Sequence, residues 1–171
     1  MTLTALAVSS SLHAQSVTGT NKPFSFGGAL GVAIPVSDLS NAANAGFNGT
    51  LIMGLNTPSL PVNFRIDGAY NSFGVKHSST NIHVTSFTGN AVLNVPTSSS
   101  IRPYLIGGAG LYNTSTNVSG TNSANNFGVN VGAGLTMPFS GFNTFVEARY
   151  HWVNTSNTST KFFPITFGIM F

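Results

Sequence analysis

At 171 residues the chain is long enough for one domain with a full core, or for a small barrel, yet only 5% of it is charged, against about 25% in an ordinary soluble domain. So little charge would leave a water-facing surface hard to keep in solution, and a hydrophobic share of 42% argues against disorder. The absence of cysteine excludes a disulfide framework and a thiolate metal site. The six Lys and Arg residues are scattered, so the net charge of +3 does not make the basic face that nucleic-acid binding requires.

No apolar run approaches the roughly 18 residues of a membrane-spanning helix. Residues 1–14 read as the remnant of a secretory signal: apolar Leu3 to Val8, a small polar stretch, and cleavage after Ala14. The basic start is missing and Leu12 is larger than the usual residue before such a cut. Residues 15–23 are polar and read as a linker ahead of a patterned stretch spanning 24–171. From Phe24 onward, eight segments of about ten residues alternate large and small side chains, the period of a strand.

The first segment, about Phe24–Val36, sets Phe24, Phe26, Leu30, Val32, Ile34 and Val36 against Ser25, Gly27, Ala29, Gly31 and Ala33. The second, about Gly46–Asn56, sets Phe47, Leu51, Met53 and Leu55 against Asn48, Thr50 and Asn56, with Ile52 on the polar side. The third, about Pro61–Phe73, sets Val62, Phe64, Ile66 and Tyr70 against Arg65, Asp67 and Asn71. The fourth, about Ile82–Val95, sets Phe87, Ala91, Leu93 and Val95 against Ser86, Thr88, Asn90 and Asn94. The fifth, about Arg102–Asn113, is glycine-rich and its two faces do not separate. In the sixth, about Asn126–Met137, Phe127, Val129, Val131 and Leu135 oppose Asn126, Gly128, Asn130 and Gly132. The seventh, about Asn143–Val153, sets Val146, Ala148, Tyr150 and Trp152 against Glu147, Arg149 and His151. The eighth closes the chain with Phe163, Ile165, Phe167, Ile169 and Phe171 on one face.

An even count of alternating strands predicts an eight-stranded antiparallel up-and-down β-barrel. Connections after the even strands are compact and carry proline (Thr57–Pro61, Pro96–Ser100, Pro138–Phe142). Those after the odd strands, Ser37–Ala45, Gly74–Asn81, Thr114–Asn125 and Thr155–Lys161, are polar loops. This asymmetry is that of outer-membrane barrels, with both termini at the periplasmic side and the polar loops outside the cell.

Alternation alone leaves open whether the greasy face points inward, as in a soluble lipocalin-like carrier, or outward to lipid. Size and charge favour the second. The smaller face is Gly, Ala, Ser, Thr and Asn, almost without Lys or Glu, and suits the narrow interior of an eight-stranded barrel. Tyr150, Trp152 and Phe163 group near the loop end, and Phe24, Phe26 and Phe171 at the turn end, as two interfacial girdles.

On these residues the chain resembles the small outer-membrane β-barrel proteins of the outer-membrane protein A and X type. The resemblance is carried by the signal-like start, the strand with Gly27-Gly28, the segments Arg102–Tyr112 and Phe127–Leu135, and the terminal Phe171. It implies a bacterial outer-membrane location, contact with outer-membrane lipids and a monomer. It also implies that the C-terminal strand, with Phe167, Ile169 and Phe171, is read by the barrel-assembly machinery after escort by periplasmic chaperones.

Four charged residues fall inside strands. Arg65 and Asp67 share one face of the third, Glu147 and Arg149 one face of the seventh, with His151 next in line. Facing lipid, an Arg or Lys at mid-bilayer costs about 2–4 kcal/mol, so all are expected in the lumen as a charge network. Such a network either plugs and stiffens the interior or forms a constriction in a narrow pore. Catalysis needs a nucleophile, a base and an orienting acid within reach. His77, beside Ser78 and Ser79, lacks a nearby acid, His83 points to the lipid face, and His151 lacks a serine two residues away. No metal-ligand spacing or phosphate cradle is visible. The expected function is therefore non-enzymatic and without cofactor or metal: a structural, narrow-pore or surface-interaction barrel. The rivals are the soluble carrier and an outer-membrane lipid-modifying hydrolase.

Overall fold

The computed structural model describes residues 23–57, 62–117, 123–155 and 159–171. The signal-like segment 1–14, the linker up to residue 22, the turn residues 58–61 and the tips of the last two loops lie outside them. Each alternating segment is a strand: β1 Phe24–Val36, β2 Gly46–Leu55, β3 Val62–Gly74, β4 Asn81–Asn94, β5 Arg102–Thr116, β6 Ala124–Pro138, β7 Asn143–Asn154 and β8 Ser159–Met170. Each pairs antiparallel with its sequence neighbour, and β1 pairs with β8. The ring therefore leaves no open edge, which backbone groups inside a membrane require.

Inside and outside are inverted relative to a water-soluble barrel. Leu51 is 75% exposed, and Leu135, Phe167 and Ile169 also face outward, whereas Arg65, Asp67, Glu147 and Arg149 are buried in the lumen. The greasy-inside carrier is thereby corrected: the bulky stripe is the outer wall.

The interior is nevertheless not uniformly small and polar. It is layered. At the loop end Ala33, Phe73, Val84, Tyr112, Val153 and Phe162 pack into an apolar cluster with Leu39 and Ala43. The last two belong to the first loop, which folds over the mouth of the barrel. There Asp38–Ala42 forms one short helix, α1, that alternation could not reveal. Ala43 bridges to Val75, and Lys76 binds the loop twice, its amide to Ala42 O at 2.9 Å and its Nζ to Ser40 O at 2.7 Å. The middle layer is polar and charged. At the turn end Ala29, Ile52 and Phe145 make a second apolar cluster, with Met170 against it.

The turn between β6 and β7 shows why its sequence is compact. Phe139 N donates to Phe142 O at 2.8 Å, and Gly141 sits at φ +93°, a conformation that L side chains rarely adopt. Phe142 in that turn packs beside Phe171, whose backbone exchanges hydrogen bonds with Phe26 at 2.8 and 3.2 Å.

Candidate functional site

The charged middle layer is built from β3 and β7, which stand four places apart in the ring and so face each other across the lumen. The pleat sends Arg65 and Asp67 inward from one wall, and Glu147 and Arg149 inward from the other. Arg65 Nε lies 2.9 Å from Asp67 Oδ1, and its Nη2 donates to Glu147 Oε1 at 2.9 Å. Arg149 Nη2 donates to Asp67 Oδ2 at 2.6 Å and its Nε to Glu147 Oε1 at 2.7 Å. Each guanidinium thus touches both carboxylates. Two positive and two negative groups cancel, which is what lets four charges be buried together.

Neutral side chains from other strands complete the layer. Tyr104 OH donates to Glu147 Oε2 at 2.7 Å, and Asn90 Nδ2 donates to Asp67 Oδ2 at 3.1 Å. Asn130 Nδ2 in turn donates to Asn90 Oδ1 at 2.9 Å. Beside this, Asn48 Nδ2 donates to Asn71 Oδ1 at 2.7 Å. Arg65 also lies over the Phe145 ring, 5.7 Å from its centre. A cavity of about 20 Å³ remains beside the network, lined by residues such as Ala29, Thr50, Asp67 and Thr88, with room for about one water.

His151 stands apart from the ions. Its Nδ1 lies 2.9 Å from Tyr112 OH, and its ring stacks on Phe162 with centres 4.7 Å apart. It belongs to the underside of the apolar cluster, because two residues along the strand carry it past the carboxylates. It faces the lumen as its strand face predicts and lines the same cavity as the four ions, while its hydrogen bond goes to Tyr112.

Tyr104, Tyr112, Asn90 and Asn130 were not singled out from the sequence. The two tyrosines lie on β5, where Ile106 faces in and Leu105 out. A bulky residue on each face, followed by Gly107-Gly108, hides the alternation. The tyrosines' even numbering relative to the outward Leu105 and Leu111 was the available signal.

The remaining sequence-derived residues fall on the outer wall. Phe24, Phe26 and Phe171 are exposed at the turn end and Trp152 at the loop end, while Tyr150 and Phe163 are half-buried near it. Lys161, partner of Trp152 across β7 and β8, holds its ammonium 5.4 Å from the indole centre. Phe167 and Ile169 face outward on β8.

The model of the outer membrane protein beta-barrel domain matches residues 2–171. The chain belongs to that family. It is a bacterial outer-membrane β-barrel, and its bulky outer wall is in contact with membrane lipid. Among solved structures it is similar to Neisserial surface protein A (TM-score 0.73, 19% identity, 87% of this chain and 96% of that one). It is also similar to the N-terminal β-barrel domain of Pseudomonas aeruginosa OprF (TM-score 0.53, 18% identity, 87% and 98%). A third likeness is to the outer membrane enzyme PagL (TM-score 0.51, 18% identity, 85% and 97%). At these identities the likenesses show the fold alone. No curated protein matches the sequence.

Proposed function

We propose that this protein is a closed, non-enzymatic barrel that stiffens the outer membrane and presents its loops as an interaction surface. The observation that carries the reading is the lumen. Four cross-bonded charges fill its middle, and α1 covers its loop end. Ion passage through this interior would require breaking the network in the protein's resting state. The polar connections 37–45, 75–80, 117–123 and 155–158 face the outside and both termini the periplasm, in keeping with the proline-bearing turns lying at the termini's end of the barrel. Phe167, Ile169 and Phe171 on the closing strand serve as the signal read by the barrel-assembly machinery, periplasmic chaperones deliver the chain to it, and the folded protein is a monomer.

PagL is an enzyme on a similar fold, so a lipid-modifying activity is the reading to test against. Here His83 is bonded to Tyr70 and His151 to Tyr112, and neither has a carboxylate partner among the described residues. The test is conductance in planar bilayers together with analysis of outer-membrane lipid. The wild-type protein should leave the bilayer resistance unchanged and the lipids fully acylated. Unitary currents from wild type, or deacylated lipid that disappears in His151→Ala, would overturn the proposal.

A further inference from the structure

The outer wall of β3 to β6 changes character within a single pleat. Phe87, Leu111 and Phe127 are direct cross-strand partners on the lipid-facing side, and all three are exposed. Two residues nearer the loop end their places are taken by Thr85, Asn113 and Asn125, again direct partners. The next row is Ser72, His83 and Ser115. β5 and β6 are 15 residues each. A strand of that length tilted by about 40° rises roughly 38 Å, against an apolar band about 25 Å tall. The polar rows therefore stand above the hydrocarbon, at the depth of lipid headgroups.

These rows are organised in the bare protein. Tyr70, cross-strand partner of Thr85, lies diagonally against His83. Their rings stack with centres 5.6 Å apart and planes 20° apart, and Tyr70 OH is 2.7 Å from His83 Nδ1. That bond orients the imidazole and leaves Nε2 as its other polar atom. Asn113 Nδ2 donates to Asn125 Oδ1 at 2.7 Å on the neighbouring pair. The wall thus offers flat rings beside hydroxyl and amide groups, and it holds neither lysine, arginine nor carboxylate. A phosphate would be met by guanidinium or ammonium groups. Flat rings for C–H faces, with amides and hydroxyls for O–H groups, are instead the chemistry that suits sugar rings.

We infer that this wall binds the sugar moiety of an outer-leaflet glycolipid, whose acyl chains then lie along Phe87, Leu111 and Phe127. The inference rests on the loop end facing outward, as proposed above.

The test uses the full chain in phospholipid nanodiscs titrated with lipopolysaccharide. Wild type should bind it, and the dephosphorylated glycolipid should bind within about threefold as well. Tyr70→Ala with His83→Ala should weaken binding about tenfold, and Thr85→Val, which keeps the strand's shape, should weaken it measurably. Addition of lipopolysaccharide should also shift the His83 imidazole resonances of the wild type. Equal binding by wild type and these variants would overturn the inference, as would binding lost on dephosphorylation alone. Orientation is read separately by labelling Ser78→Cys, the sole thiol in that variant, with an impermeant maleimide on intact cells. Failure to label would sink the outward orientation and the inference with it. Labelling without glycolipid binding would sink the inference only.

Discussion

Arg65 and Glu147 are 82 residues apart in the chain, yet Arg65 Nη2 donates to Glu147 Oε1 at 2.9 Å. Because β3 and β7 lie on opposite sides of the ring, this bond runs across the lumen and ties facing walls together. The Arg149–Asp67 bond at 2.6 Å crosses in the other direction between the same strands. A barrel held only by neighbouring strands resists shear along each pair. Two crossed ionic struts also resist flattening.

Removing one member of this set should be costly. Arg65→Ala leaves Asp67 and Glu147 sharing a single guanidinium at a site that water barely enters. The expected loss is about 3–5 kcal/mol, the range for breaking a buried pair by deleting one partner. Urea unfolding in lipid vesicles, followed by fluorescence of Trp152, the only tryptophan, gives the number. The double variant Arg65→Ala/Glu147→Ala should lose less than the sum of the two single changes, since each single leaves an uncompensated charge behind. Strict additivity would show that the two groups do not act as a pair.

Tyr104 should contribute through one bond. Tyr104→Phe leaves Glu147 Oε2 without its 2.7 Å donor, and a hydrogen bond to a charged group is worth about 1.5–3 kcal/mol. Gly134→Val should reproduce much of this loss from the next strand, because a Cβ at Gly134 would run into the Tyr104 ring. If Gly134→Val unfolds at the wild-type midpoint, the ring is not held where the structure places it.

The strands were legible because period-2 alternation survives even in a chain of glycine and asparagine. Phe127–Met137 on β6 and Phe163–Ile169 on β8 show it plainly, and every strand falls close to its sequence-derived range. The facing of Arg65 and Glu147 was readable too, once eight strands were counted, because ring closure makes the third and seventh opposite. What could not be read was anything outside that period. Leu39 and Ala43 sit in a polar loop, and only tertiary contact with Phe73 and Phe162 turns Asp38–Ala42 into a helix over the mouth. Phe162 shares the inward face with Thr166 and Gly168, and alternation alone carries no mark that its bulk joins a plug. His151 illustrates a finer limit: a shared strand face does not fix height, and two residues' rise moves a side chain from an ionic layer into an apolar one.

The outer wall should respond to charge by depth. Leu51 faces lipid and is 75% exposed there, so Leu51→Arg should destabilise the barrel in vesicles by about 2–4 kcal/mol. Ser99→Arg, in the exposed turn between β4 and β5, should change stability by less than about 0.5 kcal/mol. Equal effects at the two sites would mean that position 51 is not in hydrocarbon.

Loosening the loop plug should cost stability without opening a path. Leu39 is the buried residue of α1, and Leu39→Ala removes its side chain from the cluster of Phe73, Tyr112 and Phe162. The loss expected is near the lower end of the 2–5 kcal/mol found for core leucines, about 2 kcal/mol, since this leucine lies at the rim and water can fill behind it. Conductance should remain at the bilayer background, because Arg65, Asp67, Glu147 and Arg149 still fill the layer beneath. Only Leu39→Ala combined with Arg65→Ala and Arg149→Ala removes both the plug and the struts. If Leu39→Ala alone produces discrete currents, α1 is the seal and the ionic layer is permeable. If the triple variant stays silent while folded, side chains of the walls close the lumen without either device.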